Sequence, residues 1–203
     1  MKIVTVLTAA LLGLGLLAGC NNNVAPDSGG GTPLEALLRS QQTAFTQSSF
    51  RATSDVVEDA AHLNEHFTVI IEYLKPDRIH EQIGTHAEII SIGQAGFMKA
   101  EGGTWQASPV YANLAQDAKD TFLIGQTLSS DAQITALGAE NLNGTPTLTY
   151  RVKYQNDSVA GETKFWIGAN DNLPRRAEST GANIKTSVTT YEYNLPLKID
   201  API

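Results

Sequence analysis

The rhythm of apolar and polar residues changes several times along the chain, and each change marks an element. An uncharged, leucine-rich run spans Ile3 to Gly19, and the polar, glycine-rich stretch NNNVAPDSGGGT follows it from Asn21 to Thr32. Such a stretch reads as a flexible tether with a reach of roughly 20 Å. Thr32-Pro33-Leu34-Glu35 then joins an N-cap threonine, a proline at the first helical position and a glutamate at the capping-box position. Leu34, Leu37, Leu38 and Phe45 fall near one face of the helix that starts there, which is predicted to end around Gln47 to Ser49.

From Phe50 to about Pro109 strand signals dominate. Phe67, Val69, Ile71 and Tyr73 alternate on one face until Pro76 breaks the strand, and Gly84-Thr85 and Gly102-Gly103 supply turns, so an antiparallel meander is predicted. Ser108-Pro109 opens a second helical segment to about Gly125, with Tyr111, Leu114, Ala115, Ala118 and Phe122 at helical spacing. Strands resume beyond it. Asn143-Gly144 is a hairpin signal, Leu148, Tyr150, Val152 and Tyr154 alternate against Thr149, Arg151 and Lys153, and Phe165 and Ile167 continue the apolar face. The last strands run from about Ile184 to Tyr193. The fold class this implies is α+β: a single strongly curved antiparallel sheet, an incomplete β-barrel, with amphipathic helices covering its concave face.

Charge changes the picture first at the N-terminus. Met1-Lys2 ahead of the apolar run has the layout of an export signal, whereas two interior glycines and bare spanning length argue against a mature transmembrane helix. Leu17-Ala18-Gly19-Cys20 resembles the lipobox of bacterial lipoproteins. That resemblance implies a signal peptide over 1–19, a lipidated Cys20 with its tether over 20–32, and one domain over 33–203. A thioether-linked diacylglycerol on Cys20 would anchor the chain to a membrane, each buried methylene contributing about 0.8 kcal/mol. Asn21, rather than Asp, resembles the sorting pattern that favours an outer-membrane address.

Cys20 is also the sole cysteine, which excludes a disulfide framework and leaves stability to a hydrophobic core. Acidic residues outnumber basic ones, 21 against 14, with no Lys/Arg cluster. Nucleic acid is therefore not an expected partner.

Several phrases in order resemble the LolA/LolB lipoprotein carriers and the LprG/LppX-type lipoproteins: Tyr73-Leu74-Lys75-Pro76-Asp77-Arg78-Ile79, Ile92-Gly93 leading to Phe97, Gly102-Gly103-Thr104-Trp105, Leu173-Pro174 and Ala201-Pro202. The resemblance implies a half-barrel with a helical lid that binds acyl chains of a lipid or lipoprotein in an apolar cavity, with no cofactor and no covalent chemistry. Expected cavity-lining residues are Phe67, Val69, Ile71, Tyr73, Phe97, Leu148, Tyr150, Val152, Phe165 and Ile167, with Leu37, Leu38, Leu114 and Phe122 on the lid. The same scaffold resembles an envelope-stress regulator, so a sensor with an envelope protein partner is the alternative reading.

A catalytic pattern competes with both. His62-Leu63-Asn64-Glu65-His66 matches the H-x-x-E-H of inverted zincins, in which two histidines one helical turn apart bind zinc beside a glutamate base. Wedged against the strand-like Phe67 to Tyr73, it reads better as a polar hairpin loop, so no metal site is expected. There is no G-x-S-x-G elbow, Walker loop or dinucleotide fingerprint, and no pair of carboxylates suited to acid and base roles.

Overall fold

The structure is a computed structural model that describes residues 31–58, 65–124, 132–155, 160–181 and 184–203, without the side chains of 120–124 and 155. The leader, Cys20 and His62 lie outside the described residues.

The capping box expected at Thr32 forms and sets the first helix. Thr32 N–H donates to the Glu35 carboxylate at 2.7 Å, and Glu35 N–H donates to the Thr32 hydroxyl at 3.2 Å. α1 runs Pro33–Thr46 and buries Ala36, Leu37, Ser40 and Ala44. β1 (Ser49–Glu58), β2 (His66–Leu74), β3 (Arg78–Ile83), β4 (Ala87–Ile92), β5 (Ala95–Ala100) and the short β6 (Gln106–Ala107) follow as a meander. α2 (Leu114–Ile124) crosses to β7 (Gln133–Leu142), β8 (Thr145–Gln155), β9 (Ala160–Gly168), β10 (Pro174–Gly181) and β11 (Ile184–Tyr193), a second meander.

The two meanders join where β11 pairs with β1, giving one eleven-stranded sheet in the order β6-β5-β4-β3-β2-β1-β11-β10-β9-β8-β7. Every pairing is antiparallel. The edges β6 and β7 do not pair, so this curved sheet stays an open half-barrel, as the alternation predicted. Helix contacts show which face is covered: α1 touches α2, β7 and β10, and α2 touches β3. A connection from one sheet edge to the other has to cross a face, and α2 does so on the side where α1 already lies.

Two expectations are corrected in detail. The helical segment from Ser108 is not continuous: Pro109–Tyr111 forms a single 3₁₀ turn, then Asn113 takes φ 60° before α2 begins. Asn113 N–H donates to Gly93 O at 2.8 Å and Leu114 N–H to the Ser91 hydroxyl at 3.2 Å, which ties the break to the β4–β5 turn and takes Tyr111 off α2. β10, PRRAESTG, is a full strand that the apolar pattern left unmarked, because Ala177 is the only apolar residue along it after Pro174.

Side chains under the helices form two separate clusters. Ala36, Leu37, Tyr150, Val152 and Ile167 pack beneath the first half of α1. Ala44, Phe50, Tyr73, Ile79 and Ala115 pack beneath its second half and α2, where Phe45, Phe50 and Tyr73 meet with ring centroids 5.1–5.4 Å apart.

Candidate functional site

Strand register decides which residues share the helix-covered face. Phe50 lies opposite Tyr73 and Tyr193, Ala52 opposite Ile71 and Tyr191, Ser54 opposite Val69 and Thr189, and Val56 opposite Phe67 and Ser187. Across the sheet, Tyr150 lies opposite Phe165 and Ala136, Leu148 opposite Ile167, and Val152 opposite Thr163 and Ile134. The first cluster places Tyr150, Val152 and Ile167 against α1, and the second does the same for Phe50 and Tyr73. Both sets therefore face the helices.

Small side chains from the three middle strands line the centre of this face, Ala52 and Ser54 on β1, Ser187 and Thr189 on β11, Ala177 and Ser179 on β10, and Ala52, Ser54, Ala177 and Ser187 are buried. Neighbouring hydroxyls there satisfy one another, Ser54 with Thr189 at 2.8 Å and Thr163 with Ser179 at 3.0 Å. Larger apolar residues rise on both sides, Phe67, Val69 and Ile71 on β2 and Leu148 and Phe165 on β8 and β9. All five are only half-buried. Four strand spacings separate β2 from β9, roughly 19 Å along the curved sheet.

Half-buried large residues thus flank a strip of small ones, a step in side-chain size across the face. Tyr191, opposite Ala52, is half-buried, and desolvation pushes its phenol up to about 12. Tyr193, beside it, is pushed up further by burial and donates to Pro174 O at 2.7 Å.

The expected lining residues therefore divide. Phe67 and Val69 belong to neither cluster and border the strip of small residues, while Ile71, Leu148 and Phe165 pack against the cluster margins. Tyr73, Tyr150, Val152 and Ile167 share the face but are packed core, 0–4% exposed. Phe97 is on the opposite face: it pairs with Ile90, which pairs with His80 and then Glu72, the row that carries the Arg51–Glu72 ion pair. Met98 takes the helix side in its place. Of the lid residues, Leu37 is buried beneath α1, Leu114 packs on the second cluster, Leu38 is half-buried outside both, and the Phe122 side chain lies outside the described residues. A recess of about 170 Å³ lined by Met98, Gln106 and Ser108 at the β5–β6 edge is smaller than an ordinary ligand pocket.

One buried carboxyl on the helix-covered face lies outside the expected site residues. Glu81 lies between Ile71 on β2 and Ile89 on β4, 6% exposed, with no hydrogen bond or ion pair among the described residues. Burial raises its carboxyl from the ordinary 4.5 to about 7. The signal was present, since Ile79, Glu81 and Ile83 occupy alternate positions of one strand and the outer two are apolar.

The zincin pattern does not assemble around its second histidine. His66 is the first residue of β2, not part of a helix, and its Nε2 lies 2.7 Å from the Asp55 carboxylate. Glu65 faces His86 Nε2 at 2.9 Å.

No family model matches the chain, and no curated protein matches it. Among solved structures it is similar to the lipoprotein LppX of Mycobacterium tuberculosis, with a TM-score of 0.56 over 83% of this chain and 98% of that one at 14% identity. LprF of Mycobacterium bovis gives 0.52 over 84% and 96% at 13% identity. The chain has an LppX-like fold. The open sheet is its half-barrel and α1 with α2 its helical cover. At this identity the likeness speaks for the fold alone. Among the described residues no helix is long and apolar enough to cross a membrane.

Proposed function

We propose that the chain is an envelope lipoprotein, anchored through a lipidated Cys20, that holds the acyl chains of a lipid or lipoprotein in a groove between sheet and helices without covalent chemistry. The step in side-chain size supports this reading: small residues on β1, β11 and β10 between half-buried apolar ones on β2, β8 and β9, with the Ser54 and Thr189 hydroxyls bonded to each other, would offer contact area to hydrocarbon and little to a polar ligand. Similarity to LppX, described as a lipoprotein, agrees with it. Binding and transport within the envelope, facing the periplasm or cell exterior with the outer membrane favoured, form one role. The tether over 20–32 would hold the 33–203 domain off the surface.

Val69→Asp tests the groove. Val69 is outside both packed clusters, so the fold should persist with an unchanged circular dichroism spectrum. A fluorescent diacyl phospholipid should bind at least about 100-fold more weakly, because setting an unpaired charge against hydrocarbon costs several kcal/mol. Undiminished binding by a folded Val69→Asp would remove the groove as the site.

The anchor has its own test: Cys20→Ser should abolish metabolic labelling by a radioactive fatty acid and release the chain from membranes. Labelling that persists would place the modification elsewhere. The sensor reading keeps one structural support, the outer edge of β7, which pairs with no strand among the described residues and could accept one from a protein partner. A bulge between Ala136 and Gly138 interrupts that edge, which makes it the weaker of the two.

A further inference from the structure

A carboxyl buried on the helix side of the sheet, one strand beyond the β2 wall of the proposed groove, needs a reason. Glu81 occupies the helix-side row Ala52–Ile71–Glu81–Ile89–Met98, flanked on both neighbouring strands by isoleucine. We propose that this carboxyl is the groove's specificity determinant, donating a hydrogen bond to the carbonyl oxygen of an esterified or amidated acyl chain and turning away free fatty-acid anions. This rests on the acyl-binding reading above and names the ligand class that the reading leaves open.

The surroundings select this ligand among those a carboxyl could hold. A carboxylate built to grip an amine is kept ionised by donors or cations around it, and Glu81 has neither among the described residues. Its cross-strand neighbours are Ile71 on β2 and Ile89 on β4, and the nearby Tyr73 hydroxyl is already given to Pro76 O at 3.1 Å. On α2, Lys119 is spent on the same Pro76 carbonyl at 2.7 Å, and Asp117 is exposed. The neutral acid is thus the form this wall favours, and desolvation raises its pKa to about 7.

A neutral carboxyl has one O–H to give, and an ester or amide carbonyl accepts it without bringing charge into the groove. A fatty-acid anion could share that proton too, yet would leave a net negative charge against hydrocarbon with no cation facing it among the described residues. Two other polar groups point to a ligand that is not pure hydrocarbon. The Ser40 hydroxyl and the Gln41 side-chain oxygen on α1 are buried without hydrogen-bond partners among the described residues, Ser40 lying on the inward stripe between Ala36 and Ala44.

The proposal makes binding proton-linked. Hydrocarbon in the groove strips remaining water from Glu81, so the bound state keeps the proton and affinity should fall about tenfold per pH unit above 7. The test uses the full chain in detergent, with three fluorescent probes of equal chain length, a phospholipid ester, a fatty acid and a long-chain amine, titrated from pH 5.5 to 8.5. Expected are tightest binding of the ester, the tenfold-per-unit decline above pH 7, and a flat profile in Glu81→Gln, which keeps shape and a hydrogen-bond donor but cannot ionise. Ester binding independent of pH in the unsubstituted chain, fatty-acid binding as tight as ester binding, or amine binding that strengthens as pH rises would each overturn the role of Glu81 while leaving the acyl groove standing. No binding of any probe at any pH would instead overturn the groove reading, and this inference with it.

Discussion

Val152→Asp is expected to unfold the domain, and on the same strand as the half-buried Leu148 that outcome separates core from cavity. Val152 is 4% exposed and packs with Ala36, Leu37, Tyr150 and Ile167 beneath α1. Its cross-strand neighbours are Ile134 and Thr163, neither of which can neutralise a carboxylate. A buried unpaired charge with loss of the apolar contact costs more than about 4 kcal/mol, a large part of the 5–15 kcal/mol by which a domain is stable. Equilibrium urea unfolding should show a collapsed midpoint and loss of the near-ultraviolet signal. Retention of a cooperative transition near that of the unsubstituted chain would mean that the cluster under α1 is open, and that the groove extends further than the half-buried residues indicate.

The second large effect is a dependence of stability on pH that one residue dominates. In the unfolded chain Glu81 ionises near its ordinary 4.5, while in the fold burial holds the proton up to about 7. Between those values the folded state binds more protons than the unfolded one, so stability falls as pH rises, by about 3 kcal/mol across the window. Below pH 4.5 both states are protonated and no loss appears. Above 7 both are ionised and the loss is complete. Glu81→Gln should accordingly match the unsubstituted chain at pH 4 and exceed it by about 2–3 kcal/mol at pH 8, read as the difference in urea midpoints. Other carboxylates titrate equally in both proteins, so they cancel from that difference. An equal gap at both pH values would show that Glu81 is not desolvated in the fold.

Much of this architecture was legible because its signals are local. The capping box at Thr32, the Asn143-Gly144 turn and the alternation from Phe67 to Tyr73 and from Leu148 to Tyr154 are each fixed by a few neighbouring residues, and each is found where the pattern put it. What the pattern missed depends on partners far along the chain. β10 has almost no apolar alternation, since its groove side is meant to be small, and only pairing with β9 and β11 holds it as a strand. The helical segment after Ser108 breaks because Asn113 and Leu114 are tied to the β4–β5 turn, a contact invisible in helical spacing.

The candidate site divides for the same reason. Alternation assigns residues to a face, and for Phe67, Val69, Ile71 and the β8 set it assigned them to one face. Whether a residue on that face is core or wall depends on where α1 settles, so Val152 and Val69 look alike in sequence and differ in the fold. Phe97 was placed by a phrase and not by strand parity, and register with Ile90 puts it on the far face. Glu81 was passed over because a charged residue on an apolar face reads as an interruption, when the face itself is what gives that residue its altered chemistry.

If the groove holds acyl chains, native mass spectrometry of the intact chain purified from its own membranes should show a stoichiometric adduct whose mass matches an esterified or amidated acyl lipid, and that adduct should disappear in a folded Val69→Asp. A bare protein mass, or an adduct equally present in Val69→Asp, would contradict that reading.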